Sequence, residues 1–341
     1  WWSQHMQSNL KKDWNRLSQL IEISNKILLS THFNADGDGL GSEIALYYHL
    51  KDLGKDCRII NNSPFPKQYK IIDPESIVEE YDSKEMDSWL KDIDLSIIVD
   101  IGELKRIAPL LSFVENKSHV IIDHHPSRDT KNLGYNIIDS SAPATGYMIW
   151  KYFNHISKQS STYHETIING LYVSLISDTG SFKYESTNAD THVMATFLHE
   201  HNLKHYELHK NIYEQKKKSQ VKLLGSVINN LKTSSDGQIS WFIIDQTMIK
   251  RNNATNDDVE GFTEFARGIE NVEIAFMIME VETDLYRINF RSSGKYSIND
   301  IASVFGGGGH KFAAGARVKK MDINDLENKI ISLLENKIKD F

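Results

Sequence analysis

Three short apolar runs in the first part of the chain each end on acidic or histidine residues, with amphipathic stretches between them. Residues 27–29 lead into Thr31-His32-Phe33-Asn34-Ala35-Asp36-Gly37-Asp38, residues 95–99 end on Asp100, and residues 120–122 end on Asp123-His124-His125-Pro126. Apolar runs of this length bounded by polar turns read as buried strands, and SEIALYYHLKDLG after the first run reads as a helix. Strands alternating with helices predict an α/β fold with a doubly wound, mostly parallel sheet. Such a sheet brings the carboxyl ends of its strands to one edge, where open α/β folds hold their ligands. A fourth carboxylate-bearing end is expected at Asp178, where Thr179-Gly180 stops the helical pattern HETIINGLYVSLISD.

Each of these residues has an ordinary structural reading when taken alone. A D-G-D-G turn describes a solvated loop, Asp100 an N-cap for GELKRI, and Asp123 a group orienting a structural histidine. Six ligand-type residues at separate element ends are not all caps. His32, Asp36, Asp38, Asp100, His124 and Asp178 make four carboxylates and two imidazoles without a thiolate. That donor set suits a borderline or hard divalent ion, with Mn2+ the natural choice and Co2+, Fe2+, Zn2+ or Mg2+ as substitutes. Four like charges in one cleft favour two ions over one, and a two-ion site suits in-line displacement at phosphorus.

Composition narrows the rest. At 341 residues with 40% hydrophobic content, two domains with true cores are expected. The single Cys57 excludes a disulfide framework or thiolate zinc site and fits a reducing, cytoplasmic setting. No apolar run approaches the roughly 20 residues that span a bilayer, and the first residues lack a signal-peptide pattern. Met6 reads as the natural start, after five residues of odd composition. A net charge of −7 argues against a coat for long nucleic acid. The expected organisation is a catalytic domain over 1–195, a Lys-rich helical connector over 196–224 and an α+β domain over 225–341.

The last domain carries a local basic excess. Arg287, Arg291, Lys295, Lys311, Arg317, Lys319 and Lys320 stand against one acid, Asp300, between residues 287 and 320. In an acidic chain this marks an anion pocket. The glycines at 306–309, with His310 after them, follow a helix and precede a strand, the reverse of a dinucleotide fingerprint. They are expected to offer peptide N–H groups to a phosphate or base.

In order along the chain, H-x-x-x-D-x-D, V-D, D-H-H and S-D-T-G resemble the DHH phosphoesterase family. Gly306-Gly307-Gly308-Gly309-His310 and Ala313-Ala314-Gly315 resemble its associated DHHA1 domain. Length and domain order are similar to the branch that acts as oligoribonuclease and pAp phosphatase, since the RecJ branch carries further domains. The resemblance implies one metal on His32 and Asp36, a second on Asp38, His124 and Asp178, and Asp100 bridging. It further implies Asp123 as the carboxylate orienting the histidines, His125 facing the scissile phosphate and Arg106 neutralising a phosphoryl oxygen. Arg291, Lys295, Gly307, Gly308, Gly309 and His310 would bind substrate, with the active site in a cleft between the domains. The implied partners are short RNA, pAp or other small nucleotides, with a homodimer possible in such a family. Cyclic-di-AMP or pApA hydrolysis, pyrophosphate hydrolysis and a non-catalytic nucleotide-binding module stand as alternatives. Two positions depart from the family pattern: Ala35 stands where proline is usual, and Tyr147 where glutamate is expected.

Overall fold

The computed structural model describes residues 2–125, 134–156 and 163–340, with the side chains of 2–9 left aside; Pro126 lies outside this set. The chain divides into two compact units, residues 1–215 and 216–341. In order, the first unit runs through α1 (Trp2–Ile23), β1 (Lys26–Ser30), α2 (Gly37–Asp52), β2 (Asp56–Asn61), β3 (Val78–Glu80), α3 (Ser83–Lys91) and β4 (Leu95–Val99). It continues with α4 (Leu111–Val114), β5 (His119–Asp123), β6 (Tyr135–Ile138), α5 (Thr145–Ile156), α6 (Glu165–Asp178), α7 (Ala189–Glu200) and α8 (His205–Tyr213).

Its sheet has the order β3-β2-β1-β4-β5-β6, and every pairing is parallel. Strands buried on both faces need continuous apolar runs, and all five residues of β4 and of β5 are buried. One face carries Ile27, Leu29, Ile97 and Val99 against α1, α2, α5 and α6; the other carries Leu28, Ile98 and Ile121 against α3 and α4. The order reverses between β1 and β4, so the crevice at their carboxyl ends is the topological switch point of the sheet.

The second unit holds α9 (Lys218–Asn229), β7 (Lys232–Thr233), β8 (Ile239–Ile244), α10 (Gln246–Arg251), α11 (Phe262–Arg267), β9 (Ile274–Glu282) and β10 (Leu285–Ser292). After these come α12 (Asn299–Val304), β11 (Gly308–His310), β12 (Ala313–Lys319) and α13 (Ile323–Lys339). Its mixed sheet has the order β11-β12-β10-β9-β8-β7, with β8 and β9 parallel. The alternation of β10 is complete: Tyr286, Ile288, Phe290 and Ser292 are buried and the residues between them are not. Leu326, Ile330 and Leu334 of α13 cover one face, while Leu223 and Val227 of α9 cover the other with Phe262 of α11.

Two expectations need correction. The connector over 196–224 is divided between the units: Leu198, Leu203 and Leu208 are core residues of the first, and Leu223 and Val227 of the second. Its Lys-rich middle masked the apolar spacing on either side. The segment DDVEGFTEFARGI reads in sequence as one helix, and the structure shortens it to α11, because Gly261 takes φ +83° and the helix starts there. Among the described residues no helix is long and apolar enough to cross a membrane.

Candidate metal centre

Each ligand candidate owes its place to an element end. β1 delivers His32 and β4 delivers Asp100, the two strands that flank the switch point. Asp36 is the N-cap of α2 and accepts from the Asp38 and Gly39 amides at 3.0 and 3.3 Å. β5 leads into His124, and Asp178 is the last residue of α6. Asp100 sits at φ +52°, a left-handed backbone uncommon outside glycine and asparagine.

With that backbone the two oxygens of Asp100 face different histidines. Oδ2 lies 3.6 Å from His32 Nε2, and Oδ1 lies 3.8 Å from His124 Nε2 and 3.3 Å from His125 Nδ1. His124 Nε2 is also 3.6 Å from Asp38 and 2.7 Å from Asp178. The donor atoms form three overlapping groups, each within 4.8 Å: His32, Asp36 and Asp100; Asp38, His124 and Asp178; and Asp100, His124 and His125.

The tautomers decide what this cluster can hold. His32 Nδ1–H donates to the Phe33 carbonyl at 2.9 Å, and His124 Nδ1–H to the Ala142 carbonyl at 3.2 Å. A carbonyl only accepts, so each neutral ring turns a lone pair at Nε2 toward carboxylate oxygens. The buried His124 Nε2 faces oxygens of Asp178, Asp38 and Asp100. Lone pair against carboxylate is repulsive unless a proton or a metal cation stands between them, so the donor set fits a divalent ion that takes the proton's place.

Protonation follows the same logic. Burial pulls His124 down, but Asp178, Asp38 and Asp100 outweigh it and push the imidazole up to about 9. Burial opposes the Asp100 charge, yet His125 and His32 in their protonated forms outweigh it and hold that carboxyl well below the usual range. Burial first, then the charges of Asp100 and Asp178, push Asp38 up. The cluster gathers positive charge wherever it can.

Asp38 is fully buried and rests on the start of α5. It accepts from the Thr145 amide at 2.7 Å and the Gly146 amide at 3.0 Å, and from the Ser174 hydroxyl of α6. Asp123 receives the Gly102 amide at 2.6 Å on one oxygen, and His125 Nδ1–H at 2.9 Å on the other. Arg106 is exposed; its guanidinium donates to the Ile101 carbonyl at 3.2 Å, and its own carbonyl accepts the Phe33 amide at 3.1 Å. Tyr147 is buried and tied to Asp190 at 3.1 Å.

On the second unit the glycines form a hairpin rather than an open loop: Gly308, Gly309 and His310 pair with Gly315, Ala314 and Ala313. A Cβ on Gly307 would stand 2.1 Å from the Gly315 carbonyl oxygen, so close strand approach itself demands glycine there. His310 is exposed. Lys295 is exposed and lies over the Tyr296 ring at 5.1 Å. Arg291 is engaged by Glu264 of α11 through a short ion pair and donates to its neighbour's carbonyl.

Two family models match this chain: the DHH family N-terminal domain over residues 26–175 and the DHHA1 domain over residues 242–340. The chain carries a DHH domain followed by a DHHA1 domain. It is 24% identical to a bifunctional oligoribonuclease and PAP phosphatase NrnA from Thermus thermophilus, over 95% of each chain. The protein of the same description from Mycoplasma genitalium is 28% identical, covering 90% of this chain and 93% of its own. Among solved structures, an exopolyphosphatase-related protein from Bacteroides fragilis superposes with a TM-score of 0.85 at 23% identity, over 96% of both chains. That likeness shows a shared fold, and the curated relatives support a phosphoesterase.

Behind the candidate metal centre lies a residue the sequence did not single out. Glu43 of α2 is fully buried; one oxygen accepts from Asn61 Nδ2 at 2.9 Å and the other has no partner. Asn61 in turn accepts the Thr31 amide at 3.1 Å, next to His32. Burial, eased by Asn61 and reinforced by Asp100, pushes the Glu43 carboxyl from 4.5 up to about 8. The folded chain therefore keeps a proton that the unfolded chain releases, and stability falls as pH rises between those two values. Glu43→Gln keeps the shape and removes the slope, so its melting temperature should gain on wild type from pH 5 to pH 8. Parallel melting curves for the two proteins would show that Glu43 does not hold its proton.

Proposed function

We propose that this DHH protein is a metal-dependent phosphoesterase that hydrolyses very short oligoribonucleotides to mononucleotides, and pAp to AMP. The observation that carries the reading is the pair of ligand groups meeting at Asp100, with the Nε2 atoms of His32 and His124 turned toward its carboxylate. In this reading His32 and Asp36 hold one Mn2+, Asp38, His124 and Asp178 hold a second, and Asp100 serves both. Bound there, two such ions supply charge neutralisation at the phosphoryl group and lower the pKa of a water.

The chain's own residues do the rest. Without a cation on Asp100, hydrogen bonds to Asp100 and Asp123 outweigh burial and push His125 up to about 11, so the metal-free chain holds a proton on each nitrogen. Nδ1–H is held by Asp123, which leaves the Nε2–H to donate to a phosphoryl oxygen. Arg106 gives a second positive group near His32. On the DHHA1 unit, Lys295, His310 and the hairpin amides of Gly308 and Gly309 are the groups proposed to contact nucleotide. Arg291 would instead shape that surface through Glu264.

Curated relatives described as oligoribonuclease and PAP phosphatase align over nine-tenths or more of both chains, which supports this substrate class over pyrophosphate. The net charge of −7 supports short substrates, since a long strand gains little where no extended basic track exists. The test is a product time course with Mn2+ on pAp, pApA, a 5-mer RNA, cyclic-di-AMP and pyrophosphate, followed by kcat/KM against RNA length. Turnover should peak on di- to pentanucleotides and fall steeply toward about twenty. A profile that is flat or rises with length sinks the short-RNA reading; exclusive turnover of cyclic-di-AMP replaces it with the cyclic-dinucleotide alternative.

A further inference from the structure

On the first unit a cavity of about 450 Å³ opens between α1, the turn after β6, α5 and the start of α7, and none of its lining residues belongs to the ligand groups. Its floor is apolar, made by Trp14, Met148 and the ring of Tyr147. Its rim is mixed. Lys11 and Lys151 are exposed and make no ion pair among the described residues; Lys151 lies over the Tyr147 ring at 5.6 Å. The cavity is also lined by Asp139 and Asp190, both anchored, the first by Ser141 at 2.6 Å and the second by Tyr147 at 3.1 Å.

This combination selects a ligand class. Two ammonium groups without an ion pair among the described residues suit a phosphate, while anchored carboxylates repel a bare anion but accept from hydroxyl groups. The apolar floor suits a flat ring, and the volume suits a small organic molecule rather than an ion. A nucleoside monophosphate offers all three: phosphate for the lysines, ribose hydroxyls for the carboxylates and a base for the floor. We infer that this cavity is a second, non-catalytic binding site for a nucleoside monophosphate.

The wall of the cavity is also a support of the metal centre. Between Asp139 and Met148, which line the cavity, the Ala142 carbonyl accepts from His124 and the Thr145 and Gly146 amides hold Asp38. A ligand held on that segment therefore biases His124 and Asp38, and by linkage a metal there changes the ligand's affinity in return.

The inference does not depend on which substrate the centre hydrolyses. Calorimetric titration of AMP into the full chain with chelator present tests it, because a carboxylate cluster without cations repels the phosphate, and it is run in a Lys295→Ala, His310→Ala background so that the nucleotide-contacting surface proposed on the DHHA1 unit contributes no binding. One AMP per chain is expected, and Lys11→Glu with Lys151→Glu should weaken it at least about tenfold, a loss of ~1.4 kcal/mol. Both lysines are exposed, so the melting temperature of the double variant should match wild type. Absence of binding, or equal binding in the double variant, overturns the site. Manganese titrations with and without AMP test the link: the wild type should show a change in Mn2+ affinity that the double variant lacks. Equal changes in both proteins overturn the coupling.

Discussion

Asp100→Ala should lose turnover by about a thousandfold or more, a cost near 4 kcal/mol in transition-state stabilisation. The expectation follows from the two oxygens of this carboxylate, which face His32 on one side and His124 with His125 on the other. Removing it takes a donor from two of the candidate groups at once, whereas Asp36→Ala takes one donor from one group. The same variant should bind Mn2+ more weakly, so the rise in melting temperature that metal gives the wild type should shrink. Asp100→Asn keeps the shape and loses the charge, and should fall between the two. Activity above about a tenth of wild type in Asp100→Ala, a loss under 1.4 kcal/mol, would remove Asp100 from the shared position.

How far the sequence carried depended on how local each signal was. A buried strand, a turn and an acidic residue are adjacent in the chain, so β1, β4 and β5 with His32, Asp100 and His124 could be read directly. Their convergence followed from parallel pairing alone. The supports of the site were hidden because they are distant: the amides holding Asp38 lie 107 and 108 residues away, and the Ser174 hydroxyl 136 away. Nothing in A-T-G or L-Y-V-S announces that role. The pairing of Arg291 with Glu264 was equally invisible, since it joins a strand to a helix 27 residues earlier. β3 and β6 went unread because edge strands of three and four residues carry little pattern, and only one of those seven residues, Ile137, is buried. The opening helix α1 was missed for another reason: its long polar face drew attention to what the segment lacks rather than to Trp14, Leu17 and Ile21 along its buried side.

Gly41→Ala should cost about 3 kcal/mol or more, although alanine is the better helix former. The reason is the crossing of α2 and α6. A Cβ on Gly41 would stand 2.1 Å from the Gly170 carbonyl oxygen, and one on Gly170 would stand 2.8 Å from that of Gly41. Both obstacles are backbone, so no side-chain rotation relieves the clash and the helices must separate. The two helices that would part are the ones that position ligands: α2 carries Asp38 in its first turn and α6 ends on Asp178. Spreading them moves both carboxylates from His124, so the variant should lose metal affinity together with stability. Gly225→Ala in α9 supplies the contrast, because a Cβ there meets nothing within 4 Å. That change should be neutral or stabilise the second unit by up to about 1 kcal/mol. Urea unfolding of each variant, with Mn2+ titration beside it, reads both effects. If Gly41→Ala unfolds at the wild-type midpoint with its metal affinity intact, the spacing of α2 and α6 is not what sets the site.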